Sequence, residues 1–229
     1  MFDRIAPRYD LLNHVLSCNV DRTWWWRTAR RFRHILARPE AQVLDICCGT
    51  GDMTGALLGR RPAGGEPVMA ADFSEKMLAR AREKLAGQAV RIVEADAMRM
   101  PFADGSLDLI TTAFGFRNLP NYRAGLVEFL RVLKPGGEVG ILDCSQPGGA
   151  VGKVFGFYFR HVLPAIGARI SGDAVAYGYL PSSVEGFPPP PAMVGLMREA
   201  GFTEVEWTPY TFGIAGLWRG KKTGAAGSL

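Results

Sequence analysis

The 229-residue chain contains no apolar run approaching the ~18 residues that a membrane-spanning helix requires. Its first residues, Met1-Phe2-Asp3-Arg4, lack the charged-then-apolar order of a secretory signal. Cysteine is scarce. Cys18, Cys47, Cys48 and Cys144 form no CxxC pair, and the adjacent Cys47-Cys48 is a poor disulfide frame, so a reducing cytoplasm is the expected setting. Histidine is scarcer still: His14, His34 and His161 complete no zinc pattern, and no metal is expected. No solenoid-type repeat occurs. The net charge of +5 is carried mainly by arginine, and its excess sits in one N-terminal stretch. A basic groove running along the chain is missing, so nucleic acid is not an expected partner.

What is present suits one globular domain: the length is within the range of a single core, and a 48% hydrophobic fraction is ordinary. Residues 1–36 carry no strand signal and read as a helical cap, two helices around a break at Cys18-Asn19, the second capped by Asp21. From Gln42 short apolar runs alternate with helical patterns. Strands are expected at Val43–Ile46, Val68–Ala71, Val90–Val93, Leu107–Thr111 and Glu138–Leu142. Helices follow the first through about Arg60, the second from Ser74 to Leu85, and the fourth from Arg123 to Leu133, before a turn at Pro135-Gly136-Gly137. This alternation implies an α/β fold with a doubly wound, mostly parallel sheet. Residues 42–147 form the cofactor-binding core, and 148–191, aromatic and glycine-rich, an insertion on the substrate side that ends in the stiff Pro188–Pro191 run. Residues 192–220 supply a closing helix stopped by Gly201 and an antiparallel pair, Thr203–Trp207 with Thr211–Leu217, before a frayed tail from Lys221.

The strongest chemical signal is Val43-Leu44-Asp45-Ile46-Cys47-Cys48-Gly49-Thr50-Gly51-Asp52. An acid on the first strand and Gly-x-Gly at the turn into a helix let the backbone approach a ligand without a Cβ in the way. A dinucleotide fingerprint needs a third small residue, and Thr54 stands in its place. The pyrophosphate reading weakens accordingly, and S-adenosyl-L-methionine, a nucleoside ligand without one, takes its place. Asp72 ends the second strand, where an acid accepts from ribose hydroxyls. Asp96 follows the third, placed to accept from an adenine amino group. Taken singly, each has a bland alternative: a tight turn, a helix-start acid, a surface loop acid. Three acids in order at strand carboxyl ends make chance less favoured.

The stretches Tyr9-Asp10-Leu11-Leu12-Asn13, Asp21-Arg22-Thr23-Trp24, Phe114-Gly115-Phe116-Arg117-Asn118 and Arg131–Gly137 resemble the C-methyltransferases of ubiquinone and menaquinone biosynthesis. The resemblance runs from Phe2 to about Gly220 and implies a seven-stranded class I methyltransferase fold, Rossmann-like, with N-terminal helices and a helical insertion before the last strands. It implies S-adenosyl-L-methionine at Asp45, Gly49, Thr50, Gly51, Asp72, Phe73, Asp96, Ala97 and Ala113, with Arg117 and Tyr9 as the catalytic pair. Ala113 stands where many relatives have Ser, so only a backbone contact remains there. Asp143 opens Asp143-Cys144-Ser145-Gln146-Pro147, a stretch that usually starts with Glu. The implied acceptor is a prenylated quinol. Demethylmenaquinol is favoured over 2-methoxy-6-polyprenyl-1,4-benzoquinol because the chain begins almost at Phe2-Asp3.

Methyl transfer from a sulfonium needs alignment and no metal. A ring carbon becomes nucleophilic as its neighbouring hydroxyl loses a proton, and Arg117, always charged, is assigned to the developing oxyanion and an ordered water. Trp24-Trp25-Trp26 among Arg22, Arg27, Arg30, Arg31 and Arg33 suits a bilayer interface, or equally a helix packed by one or two Trp. Val154–Leu163 is expected either to line a prenyl tunnel or to join the core. Three rivals stand beside this reading: a small-molecule O- or N-methyltransferase, a nicotinamide-dependent oxidoreductase, and a non-catalytic cofactor-binding subunit. A homodimer is left open.

Overall fold

The computed structural model describes residues 19–158 and 182–224. The first cap helix, Tyr9, Cys18, most of the 148–191 insertion and the last five residues lie outside that range. The description therefore starts at α1 (Val20–Arg31), followed by α2 (Arg33–Leu36), β1 (Val43–Ile46), α3 (Asp52–Leu58), β2 (Val68–Asp72), α4 (Glu75–Lys84) and β3 (Val90–Glu94). Next come β4 (Leu107–Ala113), a 3₁₀ turn at Phe116–Asn118, α5 (Tyr122–Val132), β5 (Leu133–Cys144), α6 (Gly149–Phe157), α7 (Pro190–Glu199), β6 (Phe202–Tyr210) and β7 (Ala215–Lys222).

The strands form one seven-stranded sheet in the order β3-β2-β1-β4-β5-β7-β6. The first five run parallel, and β7 is antiparallel to both β5 and β6. The expected α/β, doubly wound architecture is the one observed. Every residue of β1 is buried, as a central parallel strand covered on both faces requires. Its side chains alternate between two cores. Leu44 and Ile46 join Ile110, Phe129, Met193 and Trp218 under α5 and α7. Val43 joins Phe32, Leu57, Leu109, Leu142 and Leu217 under α1–α3.

Several boundaries differ from the sequence reading. The second cap helix starts at Val20, after a left-handed Asn19, so Asp21 is a buried first-turn acid rather than the cap. β5 begins at Leu133, not Glu138, and Pro135-Gly136-Gly137 lies in an irregularity inside it: the register jumps between Leu107 and Leu109 while Gly136 takes φ 80°. A local Pro-Gly-Gly signal had hidden that pairing. α7 starts within the proline run, with Pro at the first turn, where its missing N–H is harmless. β7 begins four residues after Thr211 and continues through Lys222, so Thr211 to Gly213 form a turn and Lys221 pairs in the sheet.

Helix α1 is held against the sheet by a close approach. A Cβ built at Gly140 on β5 would fall 2.5 Å from the ring of Phe32, which is fully buried and has no room to retreat. Gly140→Val is expected to lower stability by about 1–3 kcal/mol through overpacking. Gly148→Ala, with open space around its Cβ, serves as the control in the same denaturant titration and should stay near wild type.

Candidate active site

Neighbouring strands β1 and β4 lead to opposite halves of the sheet, and at such a switch point the carboxyl ends leave a crevice. A cavity of about 390 Å³ opens there, within the range of small-molecule sites.

The loop between β1 and α3 forms one wall. Cys47, Gly49 and Gly51 all take positive φ, at 56°, 56° and 91°. Gly51 is required twice over, since a Cβ there would also lie 2.7 Å from Leu85 Cδ1. At Gly49 a Cβ would meet nothing within 4 Å: the loop faces open space, as a cradle for a ligand would. Thr50 is buried beside it, and its hydroxyl donates to Asp52 at 3.4 Å.

Behind this loop lies Asp45, fully buried. Thr54 Oγ1 donates to its Oδ2 at 2.6 Å and Thr111 Oγ1 to its Oδ1 at 3.0 Å. Burial pushes its carboxyl up to about 7, against the pull of those two hydroxyls. Thr54, which breaks the dinucleotide fingerprint, thus has a task of its own. The Asp72 carboxylate accepts from Gly49 N at 2.8 Å and Ser74 N at 2.9 Å. Burial raises it, and the backbone donors of Ser74, Gly49 and Phe73 oppose the rise. Each carboxylate oxygen retains acceptor capacity beyond one such bond. Asp96 is exposed on the wall and accepts from Met98 N at 2.8 Å, while its neighbour Ala97 is buried. Phe73 stands 77% exposed at the rim, a ring with a face to offer.

Ala113 ends β4 on the opposite wall, and Phe114 follows with φ 57°. Gly115 sits so close to the first loop that a Cβ would lie 2.4 Å from that of Cys47. The cavity-lining thiols Cys47 and Cys48 are both raised well above the usual range by burial, so they stay protonated at neutral pH.

Eight of the nine cofactor candidates therefore line one cavity, and the ninth, Gly51, sits behind the lining in the loop that Gly49 and Thr50 present. Arg117 stands behind it. Its side chain is 7% exposed, with Nη1 donating to Asp143 Oδ1 at 2.8 Å and to the Phe114 carbonyl, while its backbone N donates to Asp143 Oδ2 at 3.0 Å. The adjoining Phe114, Gly115 and Asn118 form the wall. Asp143, whose part was open in the sequence, is fully buried as the partner of this arginine.

Sequence reasoning did not assign Trp25, which also lines the cavity. The spacing of the buried residues Asp21, Trp24, Trp25, Thr28 and Ala29 marks the inward face of α1 and was the available signal. Met53, Met77 and Met98 line it as well, and nothing local in sequence separates them from core methionines.

Comparison with known proteins agrees with this geometry. The ubiE/COQ5 methyltransferase family matches residues 1–222. The chain is 47% identical over 225 residues to the demethylmenaquinone methyltransferase of Deinococcus radiodurans, covering 97% of this chain and 91% of that protein. Identity to the demethylmenaquinone methyltransferase of Thermus thermophilus is 45%, covering 97% and 100%. It is 41% to the ubiquinone/menaquinone biosynthesis C-methyltransferase UbiE of Geotalea daltonii, covering 97% and 94%. Among solved structures, a SAM-dependent methyltransferase from Thermotoga maritima superposes with a TM-score of 0.64 at 18% identity, covering 97% of this chain and 98% of that one. One from Aquifex aeolicus gives 0.58 at 19%, covering 85% and 88%. With a family match that spans the sheet, the glycine loop and the strand-end acids, the chain belongs to the ubiE/COQ5 methyltransferase family.

Proposed function

We propose that this enzyme moves the methyl group of S-adenosyl-L-methionine to a ring carbon of a prenylated quinol, with demethylmenaquinol as the acceptor. One observation carries the reading: three acids at successive strand ends ring a cavity in a chain matched by this family over nearly its whole length. The demethylmenaquinone methyltransferases at 45–47% identity support the naphthoquinol over the benzoquinol.

The residues present fit the donor. Bound there, S-adenosyl-L-methionine supplies an activated methyl group on a positive sulfur. Asp72 accepts from ribose hydroxyls with the lone pairs that Gly49 and Ser74 leave over. Asp96 and the backbone at Ala97 would hold the adenine edge, with the exposed ring of Phe73 available beside it. Gly49, Thr50 and Gly51 would admit the amino-acid part close to the main chain, with Asp45 behind them as an acid that a nearby positive charge favours in its ionised form. Ala113 offers its backbone. An acid-lined pocket favours a cationic ligand over a pyrophosphate, which would meet like charge.

On the acceptor side the chain must align a ring carbon with the methyl group and draw charge onto the neighbouring oxygen. Arg117 provides a fixed positive charge for that oxygen, and Asp143 holds it in place. Tyr9, outside the described residues, is assigned as its partner on the acceptor. Attachment at the membrane periphery completes the reading, because a prenyl chain resides in the bilayer.

Calorimetry should register S-adenosyl-L-methionine binding to the wild type. Asp72→Ala should weaken it at least about tenfold, the loss of hydrogen bonds to a charged group. Heat from a nicotinamide dinucleotide in place of the sulfonium would refute the assignment. Arg117→Ala should lower methyl transfer about 10²–10³-fold, the scale of a lost oxyanion donor, with a far smaller loss of cofactor affinity as the wall it holds shifts. Labelled S-adenosyl-L-methionine supplied with each demethylated quinol, followed by mass spectrometry, should place the label on the naphthoquinol ring carbon. Label on an oxygen or nitrogen would move the protein to a different transfer chemistry.

A further inference from the structure

The turn between β6 and β7 is built against local preference. Thr211, Phe212 and Gly213 take φ of 44°, 58° and 86° in succession. A β-branched residue and a bulky aromatic are both outliers in the left-handed region, and such strain persists only when the surroundings impose it. Here they do. Trp24 Nε1 donates to Thr211 Oγ1 at 2.8 Å, Ser145 Oγ to the Gly213 carbonyl at 2.7 Å, and Ser145 N to the Ile214 carbonyl at 2.9 Å. The result is a rigidly tied turn that holds Phe212 outward, 84% exposed. Folding alone gives no reason to fix an apolar ring in water at the cost of backbone strain.

The turn adjoins a strongly basic flank. α1 carries four arginines against one aspartate, and that aspartate is buried while Arg22, Arg27, Arg30 and Arg31 are exposed. Arg27 lies over the Tyr210 ring at 4.3 Å, directly before the turn, and Arg30 and Arg60 flank the half-exposed Trp26 at 5.4 and 5.1 Å. Trp26, Arg27, Arg30 and Tyr210 line a groove beside β6 together with Arg31 and Arg33. Two other groups face it: Thr208, which accepts from Arg31 at 3.2 Å, and His34, paired with Glu138 at 2.9 Å. Tyr210 pairs with Ala215, and Ala215 with Cys144 at the end of β5, so the turn stands at the sheet edge where the strands open into the cavity.

We propose that this flank docks on an anionic phospholipid bilayer, with Phe212 inserted below the headgroups and the α1 arginines against the phosphates. An exposed aromatic beside clustered guanidinium groups is the pairing an interface rewards: the ring leaves water, and the cations meet a negative surface. The inference deepens the prenylated-acceptor reading by naming the surface that meets the membrane. Its test uses vesicles without quinol, so its failure is distinguishable from a failure of the assigned chemistry.

The full chain is floated with vesicles of phosphatidylglycerol and phosphatidylcholine, and with phosphatidylcholine alone, at low and high salt. The wild type should rise with the anionic vesicles at low salt and remain below with the neutral ones. Phe212→Asn keeps a residue that tolerates the left-handed turn, and should reduce the floated fraction about tenfold or more with its melting transition unchanged. The double change Arg30→Glu with Arg33→Glu, on the far part of the groove, should abolish the preference for anionic lipid. Three results would overturn the proposal: no flotation with anionic vesicles, flotation of Phe212→Asn equal to wild type, or a lipid-free dimer that Phe212→Asn dissociates.

Discussion

The site depends on one buried carboxyl group. Asp45 accepts hydrogen bonds from the hydroxyls of Thr54 on α3 and Thr111 on β4 while standing itself on β1. Three elements are thereby tied at the point where the sheet divides. A carboxyl removed from water must be hydrogen-bonded or neutral, and both conditions act here: two hydroxyls serve it, and burial raises it to about 7. Any rotation of α3 or slip of β4 would break a bond that nothing else replaces in so dry a place. The glycine loop between them consequently has little freedom, and its open side keeps its shape.

From that anchor the other acids acquire distinct tasks. Asp72 spends one bond on Gly49, so the second strand holds the loop that the first one starts. Asp96, exposed and bonded to Met98, keeps its outer face toward the cavity. Placing several carboxylates around one pocket is unfavourable for folding, and Asp45 and Asp72 both titrate above their ordinary range because of burial. A cationic ligand relieves that electrostatic load, which makes the pocket complementary to a sulfonium with an ammonium group and hostile to a pyrophosphate.

Much of this was legible because the signals were local. Ser74 reads as a helix cap and accepts from Met77 N as a cap should. Asp45, Asp72 and Asp96 read as strand-end acids because each follows a short apolar run. Where the sequence misled, a local signal competed with a distant partner. Pro135-Gly136-Gly137 reads as a turn, yet Leu133 pairs with Leu107 and draws it into β5. Thr211-Phe212 has strand-forming side chains, yet Trp24, far away in sequence, pins Thr211 in a turn. The tryptophan run gave equal support to packing and to an interface; the structure divides it, with Trp24 and Trp25 buried and Trp26 half exposed. Asp143 could not be assigned because its meaning lies in Arg117, on another element.

That last pair explains how the two sides of the cavity are kept in register. Burying an ion pair costs more than an exposed one unless further hydrogen bonds satisfy the charges. Asp143 collects them from one region: Arg117 Nη1, Arg117 N and Cys144 N. Because the side chain and the backbone of a single residue meet the same carboxylate, the pair fixes the whole Phe116–Asn118 turn as well as a charge. Gly115, at the start of that turn, presses against Cys47 in the loop after β1 with no room for a Cβ. Displacing Arg117 therefore displaces the wall that faces the glycine loop. Cofactor side and acceptor side are thus coupled through one glycine contact and one buried acid, and alignment of the two reactants is a property of the sheet itself.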